Sequence, residues 1–132
     1  MEYAELLKEE SDFLKLVYIC SPLKGNISGN IAKAVRYCAY AARQGVIPLA
    51  PHTIFTQYLN DAVPEQREQG LRMGMELLKR SDEIWICGDR ISAGMQNEIL
   101  YARNHGIPTR YLSDREVGRA RDPPGAPVPR PT

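Results

Sequence analysis

Ser92-Ala93-Gly94-Met95-Gln96-Asn97-Glu98-Ile99-Leu100-Tyr101 directly follows the apolar run Ile84-Trp85-Ile86-Cys87-Gly88, and the junction of the two decides the fold. The apolar run reads as a short buried strand, the third, from Glu83 to Cys87, and Met95, Ile99 and Ala102 recur at helical spacing, so the order is strand, turn, helix. Gly94 permits close backbone approach or an unusual φ, and Ser92 is placed to cap. Glu98 lies about one turn inside the helix, where side chains lean back toward the N-terminus. That aims a carboxylate over the carboxyl end of the strand, where open α/β sheets bind ligands beside helix N-termini that favour anions. Glu98 is therefore the first candidate catalytic group. A purely structural reading suits the same residues, because acidic side chains near a helix N-terminus complement its dipole and Ser is a common cap.

Working outward, Leu16-Val17-Tyr18-Ile19-Cys20 is a continuous apolar run, the pattern of a central strand covered on both faces. Ser21 to Asn26 follow as a loop, and Ile31, Ala34, Val35, Cys38, Ala41 and Ala42 make a helical stripe ending at Gly45. Val46-Ile47-Pro48-Leu49-Ala50 reads as a second strand, with Pro48 placing it at or near a sheet edge. Residues 51–63 show no clean period but carry His52, Phe55, Tyr58 and Asp61, so they read as a long aromatic loop of the kind that forms lids or interfaces. Pro64 opens a further helix, with Asp61 a possible cap nearby, and Leu71, Gly74, Met75 and Leu78 continue it to Arg80. His105-Gly106 closes the helix that begins near Gly94, and Ile107 to Leu112 supply a last strand. Residues 2–12 read as a short amphipathic helix.

Alternating strands and helices predict an α/β fold, a small flavodoxin-like or Rossmann-like three-layer sandwich on a parallel sheet of four to five strands. The expected domain is 1–113. Residues 114–132, with five prolines between Pro123 and Pro131, read as a Pro/Arg-rich disordered tail.

A chain of 132 residues with 43% hydrophobic and 25% charged residues makes one domain, and a net charge of +1 gives no electrostatic case for nucleic acid or acidic membranes. No apolar run approaches membrane-spanning length, and the acidic start Met1-Glu2-Tyr3-Ala4-Glu5 lacks a signal-peptide core. Cys20, Cys38 and Cys87 are odd in number and have no zinc-type spacing with His52 or His105, so reduced thiols, a cytoplasmic location and no metal are expected. Neither a dinucleotide-binding glycine fingerprint nor a Walker A sequence is present, so no cofactor is expected. The expected partner is a small molecule.

The loops after the first and third strands and the aromatic segment should converge at one sheet edge, gathering Tyr18, Ser21, Lys24, Gly25, His52, Ser92, Gly94, Met95 and Glu98. A lone carboxylate among hydroxyls and glycine turns fits attack on an anomeric carbon, since an oxocarbenium-like transition state needs only a weak, well-aligned nucleophile. Helix N-termini there would suit a phosphate.

Tyr18-Ile19-Cys20-Ser21-Pro22-Leu23-Lys24-Gly25, Ala50-Pro51-His52, Ser81-Asp82-Glu83-Ile84-Trp85 and Gly94-Met95-Gln96-Asn97-Glu98-Ile99 together resemble the nucleoside 2-deoxyribosyltransferase-like superfamily, over about residues 15–112. The resemblance is closest to its uncharacterised phage and bacterial branch and extends to the 2′-deoxynucleoside 5′-phosphate N-hydrolases. It implies transfer or hydrolysis at the N-glycosidic bond of a deoxynucleoside or its 5′-monophosphate. Glu98 would be the nucleophile of a covalent deoxyribosyl intermediate, Tyr18 would orient it, and the protein would be a homo-oligomer.

Ser92 stands where the resemblance has Asp in transferases and a phosphate-contacting Ser in the N-hydrolases. The hydrolases' first-loop Ser falls at Pro22, so Ser21 would have to substitute. The acid that helps protonate the leaving base falls at Gly74. That departure keeps two alternatives open, a nucleotide-binding or sensory module without turnover and, third, an NAD glycohydrolase.

Overall fold

The computed structural model describes residues 14–119. The helix expected over residues 2–12 lies outside them. Four strands, β1 (Leu16–Cys20), β2 (Ile47–Leu49), β3 (Glu83–Cys87) and β4 (Thr109–Leu112), form one parallel sheet in the order β2-β1-β3-β4. Between them run α1 (Ile27–Arg43), the short α2 (Pro51–Ile54) with a 3₁₀ turn (Phe55–Gln57), α3 (Pro64–Lys79) and α4 (Ala93–Asn104). A last helix, α5 (Asp114–Arg119), follows β4.

Parallel strands covered on both faces run apolar, as β1 does throughout and β3 does after Glu83 at its start. Val17, Ile19, Trp85 and Cys87 pack with Ala34, Tyr37, Tyr40 and Ala41 of α1 on one side. Tyr18, Cys20, Ile84 and Ile86 pack with Leu78 of α3 and with Met95 and Ala102 of α4 on the other. The successive alternation of side chains makes this a three-layer sandwich. Fully buried residues such as Ile19, Ile84 and Leu78 each contribute about 1.5–3 kcal/mol of apolar burial. Pro48 sits on the edge strand, where its missing N–H costs the ladder least. At the amino ends of β1 and β3, the Leu16 amide donates to Asp82 Oδ2 at 2.8 Å and Lys15 pairs with Glu83 at 2.7 Å.

Three expectations change. The aromatic segment is not a long loop: its start is α2 and the 3₁₀ turn, with Thr53 Oγ1 donating to the Ala50 carbonyl and Thr56 Oγ1 to that of His52. Asp61 does not cap α3, whose N-cap is Val63 with no side-chain bond. The ordered fold continues past position 113. Val117 of α5 is buried against the α1 layer, Tyr37 Oη donates to Asp114 at 2.5 Å, and Tyr40 Oη donates to Glu116, which also pairs with Arg110 at 2.9 Å. The rest of the predicted tail lies outside the described residues.

Candidate active site

Tyr18 stands in the middle of β1, on the face toward α3 and α4, and is 4% exposed. Ser92 ends the β3–α4 turn as a true N-cap: its Oγ accepts the Met95 amide at 3.2 Å, and its own amide donates to the Met95 thioether at 3.4 Å. With the start of α4 fixed, its inward face brings Glu98 down onto β1. The Tyr18 hydroxyl hydrogen-bonds the Glu98 carboxylate, and Cys20 Sγ lies 4.0 Å from Glu98 Oε1.

Burial pushes the Glu98 carboxyl from its usual 4.5 up to about 7, and the Tyr18 hydrogen bond works against that rise. The Tyr18 phenol is driven well above its ordinary value by burial first and by the Glu98 charge and hydrogen bond second. Burial, and then Glu98, likewise raise the Cys20 thiol. The result is one carboxyl ionising near neutrality against two groups that stay protonated. Its chemistry is that of a partly desolvated nucleophile or base.

Gly74 completes this cluster. It is buried in the interior of α3, and a Cβ built there would meet the Tyr18 hydroxyl oxygen at 3.4 Å. Position 74 thus faces the Tyr18–Glu98 pair with backbone alone.

Immediately after β1, Ser21 is 2% exposed, and its Oγ has no hydrogen-bond partner among the described residues. Its carbonyl accepts from His52 Nε2 at 3.0 Å, tying the start of α2 to the end of β1. Because a carbonyl only accepts, Nε2 carries the proton. Burial lowers the affinity of His52 for a second proton, opposed by that bond and by Asp61. Lys24 and Gly25 are exposed in the first loop, Gly25 with φ +102°, and the loop is held by Asn30 Nδ2, which donates to the Leu23 and Lys24 carbonyls at 2.9 and 3.2 Å.

Two further predicted site residues lie at the start of α4. Met95 is 1% exposed in the core with its amide engaged by the cap, so its side chain offers a ligand no surface. Gly94 is exposed and does not take a positive φ; a Cβ there would lie 4.0 Å from Ser92 Oγ, so the position requires no glycine. His105 is the C-cap of α4, bonding the Tyr101 carbonyl and stacking on its ring. Arg72 pairs with Glu68 on the surface, and Glu76 with Arg80. Among the described residues no cluster of His, Cys, Asp or Glu is arranged to hold a metal, and no helix is long and apolar enough to cross a membrane. The three cysteines are free.

Sequence reasoning passed over Cys20 and Asn30. The signal for Cys20 was available, since residues two apart on a strand share a face and Tyr18 was already a candidate. Asn30 sits on a helix whose apolar stripe drew attention away from its one buried polar position.

The parallel sheet with helices on both faces is a fold shared with solved 2-deoxyribosyltransferases. A 2-deoxyribosyltransferase from Bacillus psychrosaccharolyticus superposes with a TM-score of 0.62 at 17% identity, over 74% of this chain and 72% of that one. A 2-deoxyribosyltransferase from Leishmania mexicana gives 0.54 at 19% identity, over 75% of this chain and 64% of that one, so this chain spans under two thirds of the Leishmania protein. At these identities the likeness is one of fold. A family profile, the domain of unknown function DUF7768, matches residues 15–112, and the chain belongs to that family. No curated protein matches it by sequence.

Proposed function

We propose that this protein is an enzyme that cleaves or transfers at the N-glycosidic bond of a deoxynucleoside or its 5′-monophosphate. The observation that carries the reading is the Tyr18–Glu98 hydrogen bond at the carboxyl edge of the sheet, in a fold like that of two 2-deoxyribosyltransferases. Glu98 Oε attacks the anomeric carbon, the bond to the base breaks, and a deoxyribosyl ester forms on Glu98. A second base attacking that ester gives transfer; water gives hydrolysis. Tyr18, donating to the carboxylate, holds it in line and favours its ionised form.

Ser21, Lys24 and Gly25 in the first loop, His52 beside them and Ser92 at the α4 N-terminus form the proposed substrate-binding edge. The Ser21 hydroxyl, buried and without a partner, is the group there most in need of one. A phosphate suits this edge because two helices, α1 and α4, begin on it. The protein works as a cytoplasmic homo-oligomer, without a cofactor, and the link to the phage and bacterial branch and to the N-hydrolases stands as part of the same proposal.

Gly74 favours a second reading, a nucleotide-binding module of the same fold without turnover. Chromatography of free base released from nucleosides and 5′-monophosphates carrying purine, pyrimidine and pyridine bases separates the two. Release by the wild type and not by Glu98→Ala supports the enzyme. Binding without release from any of them contradicts it.

A further inference from the structure

The protons of Tyr18 and His52 are already committed. The Tyr18 hydroxyl gives its proton to Glu98 itself, and His52 Nε2 gives its proton to the Ser21 carbonyl. The Cys20 thiol, 4.0 Å from Glu98 Oε1, is held protonated by burial and by the carboxylate beside it. From the facing helix, α3 presents Gly74 toward the Tyr18 hydroxyl. Of the other carboxyls, Glu76 pairs with Arg80 on the surface, Asp89 Oδ1 accepts the Asp114 amide at 3.4 Å, and Asp61 acts on His52 and not on Glu98. Among the described residues, burial and Tyr18 alone set the titration of Glu98.

A neutral nucleoside loses its base as an anion unless a proton is delivered as the bond breaks, and a positioned general acid is worth about 10²–10⁴-fold in rate. One carboxyl cannot attack C1′ and protonate the leaving base in the same step. A base that already bears a formal positive charge needs no such proton.

Resting on the N-glycosidic reading above, we infer that this site selects N-glycosides of cationic bases, N7-alkylated purines or N-linked pyridiniums, over their neutral counterparts. Glu98 Oε bonds to C1′ as the C1′–N bond breaks. The bonding electron pair passes to the ring nitrogen and cancels its charge, so the base departs neutral and intact. Water then attacks C1′, the Glu98 carboxylate leaves, and the proton lost by the water goes to solvent. Water is the only co-reactant, and no oxidant or reductant enters.

The test compares kcat/KM at neutral pH for N7-methyl-2′-deoxyguanosine against 2′-deoxyguanosine, and for the 2′-deoxyribosides of nicotinamide against those of the neutral pyrimidines. Each rate is corrected for spontaneous cleavage and run beside Glu98→Ala. At least one cationic substrate should exceed its neutral counterpart by about 100-fold or more, the lower end of what an acid contributes, and lose that rate in Glu98→Ala. Which arm responds identifies the purine or the pyridinium as the base. Neutral and cationic substrates cleaved within about tenfold of each other by a Glu98-dependent route overturn this inference and leave the N-glycosidic reading standing. No base from either class overturns both.

Discussion

The hydroxyl of Tyr18, from the central strand, and the carboxylate of Glu98, from the helix after the third strand, meet in a hydrogen bond beneath the carboxyl edge of the sheet. Two forces oppose each other there. Burial disfavours the charge on Glu98, and Tyr18 stabilises it. The balance, near pH 7, leaves the carboxylate available and poorly solvated, the condition in which a weak nucleophile is most reactive.

Removing the hydroxyl tests that balance. In Tyr18→Phe the carboxylate loses a charge-assisted bond worth about 1.5–3 kcal/mol, so kcat/KM should fall by about tenfold or more. Because the bond lowers the affinity of Glu98 for a proton, its loss raises it. The wild-type pH–rate profile should rise through about 7 and level off above, and the rising limb should move to higher pH in the variant. A limb that stays in place means that Tyr18 does not act through Glu98.

The same burial should cost stability in a pH-dependent way. Glu98 titrates at about 7 in the folded protein against 4.5 in its absence, so the folded state binds more protons between those values and stability declines as pH rises through that window. Above pH 7 the cost is about 2–3 kcal/mol for this part-exposed group. Glu98→Gln should therefore raise Tm at pH 8, with the gain shrinking toward zero near pH 4.5. An equal shift at both pH values would point to packing and away from charge.

Ser92 has one lone pair committed to the Met95 amide and its hydroxyl hydrogen still to donate. Ser92→Ala should cost about 1 kcal/mol of stability as a lost cap. If the hydroxyl also meets a 5′-phosphate, KM for monophosphates should rise about tenfold while that for nucleosides stays level. Equal changes for both would reduce Ser92 to its capping role.

The family profile ends at residue 112, yet α5 beyond it covers the α1 layer. Ending the chain at Leu112 would expose the site of Val117 and strip Tyr37 and Tyr40 of their carboxylate partners. The loss should be about 3–5 kcal/mol from one buried aliphatic side chain and two hydrogen bonds, seen as a drop in denaturation midpoint. An unchanged midpoint would show α5 to be an ornament on the fold.

Much of this architecture was legible in the sequence where one physical signal dominated. β1 and β3 were read to the residue because a strand covered on both faces shows as a continuous apolar run, preceded in β3 by Glu83. Ser92, Gly45 and Gly106 announced helix ends through local chemistry, and both glycines take positive φ. The aromatic segment was misread because α2 spans only Pro51–Ile54, too short to show a period. α5 was hidden for a different reason: Asp114 and Glu116 look like solvated tail charges until Tyr37, Tyr40 and Arg110 are brought to them by the tertiary fold. The pairing of Tyr18 with Glu98 came from the resemblance, and the opening at Gly74 could be counted along the chain. Its approach to the Tyr18 hydroxyl could not, because that depends on where α3 docks.

The central claim is that Glu98 forms a bond to the sugar. Wild-type protein mixed with substrate, quenched in acid within the first turnovers and digested for peptide mass spectrometry reads this directly. The account predicts a deoxyribosyl adduct on the peptide containing Glu98, absent from Glu98→Gln. Turnover with no adduct on that peptide, or with the sugar carried by another residue, would contradict it.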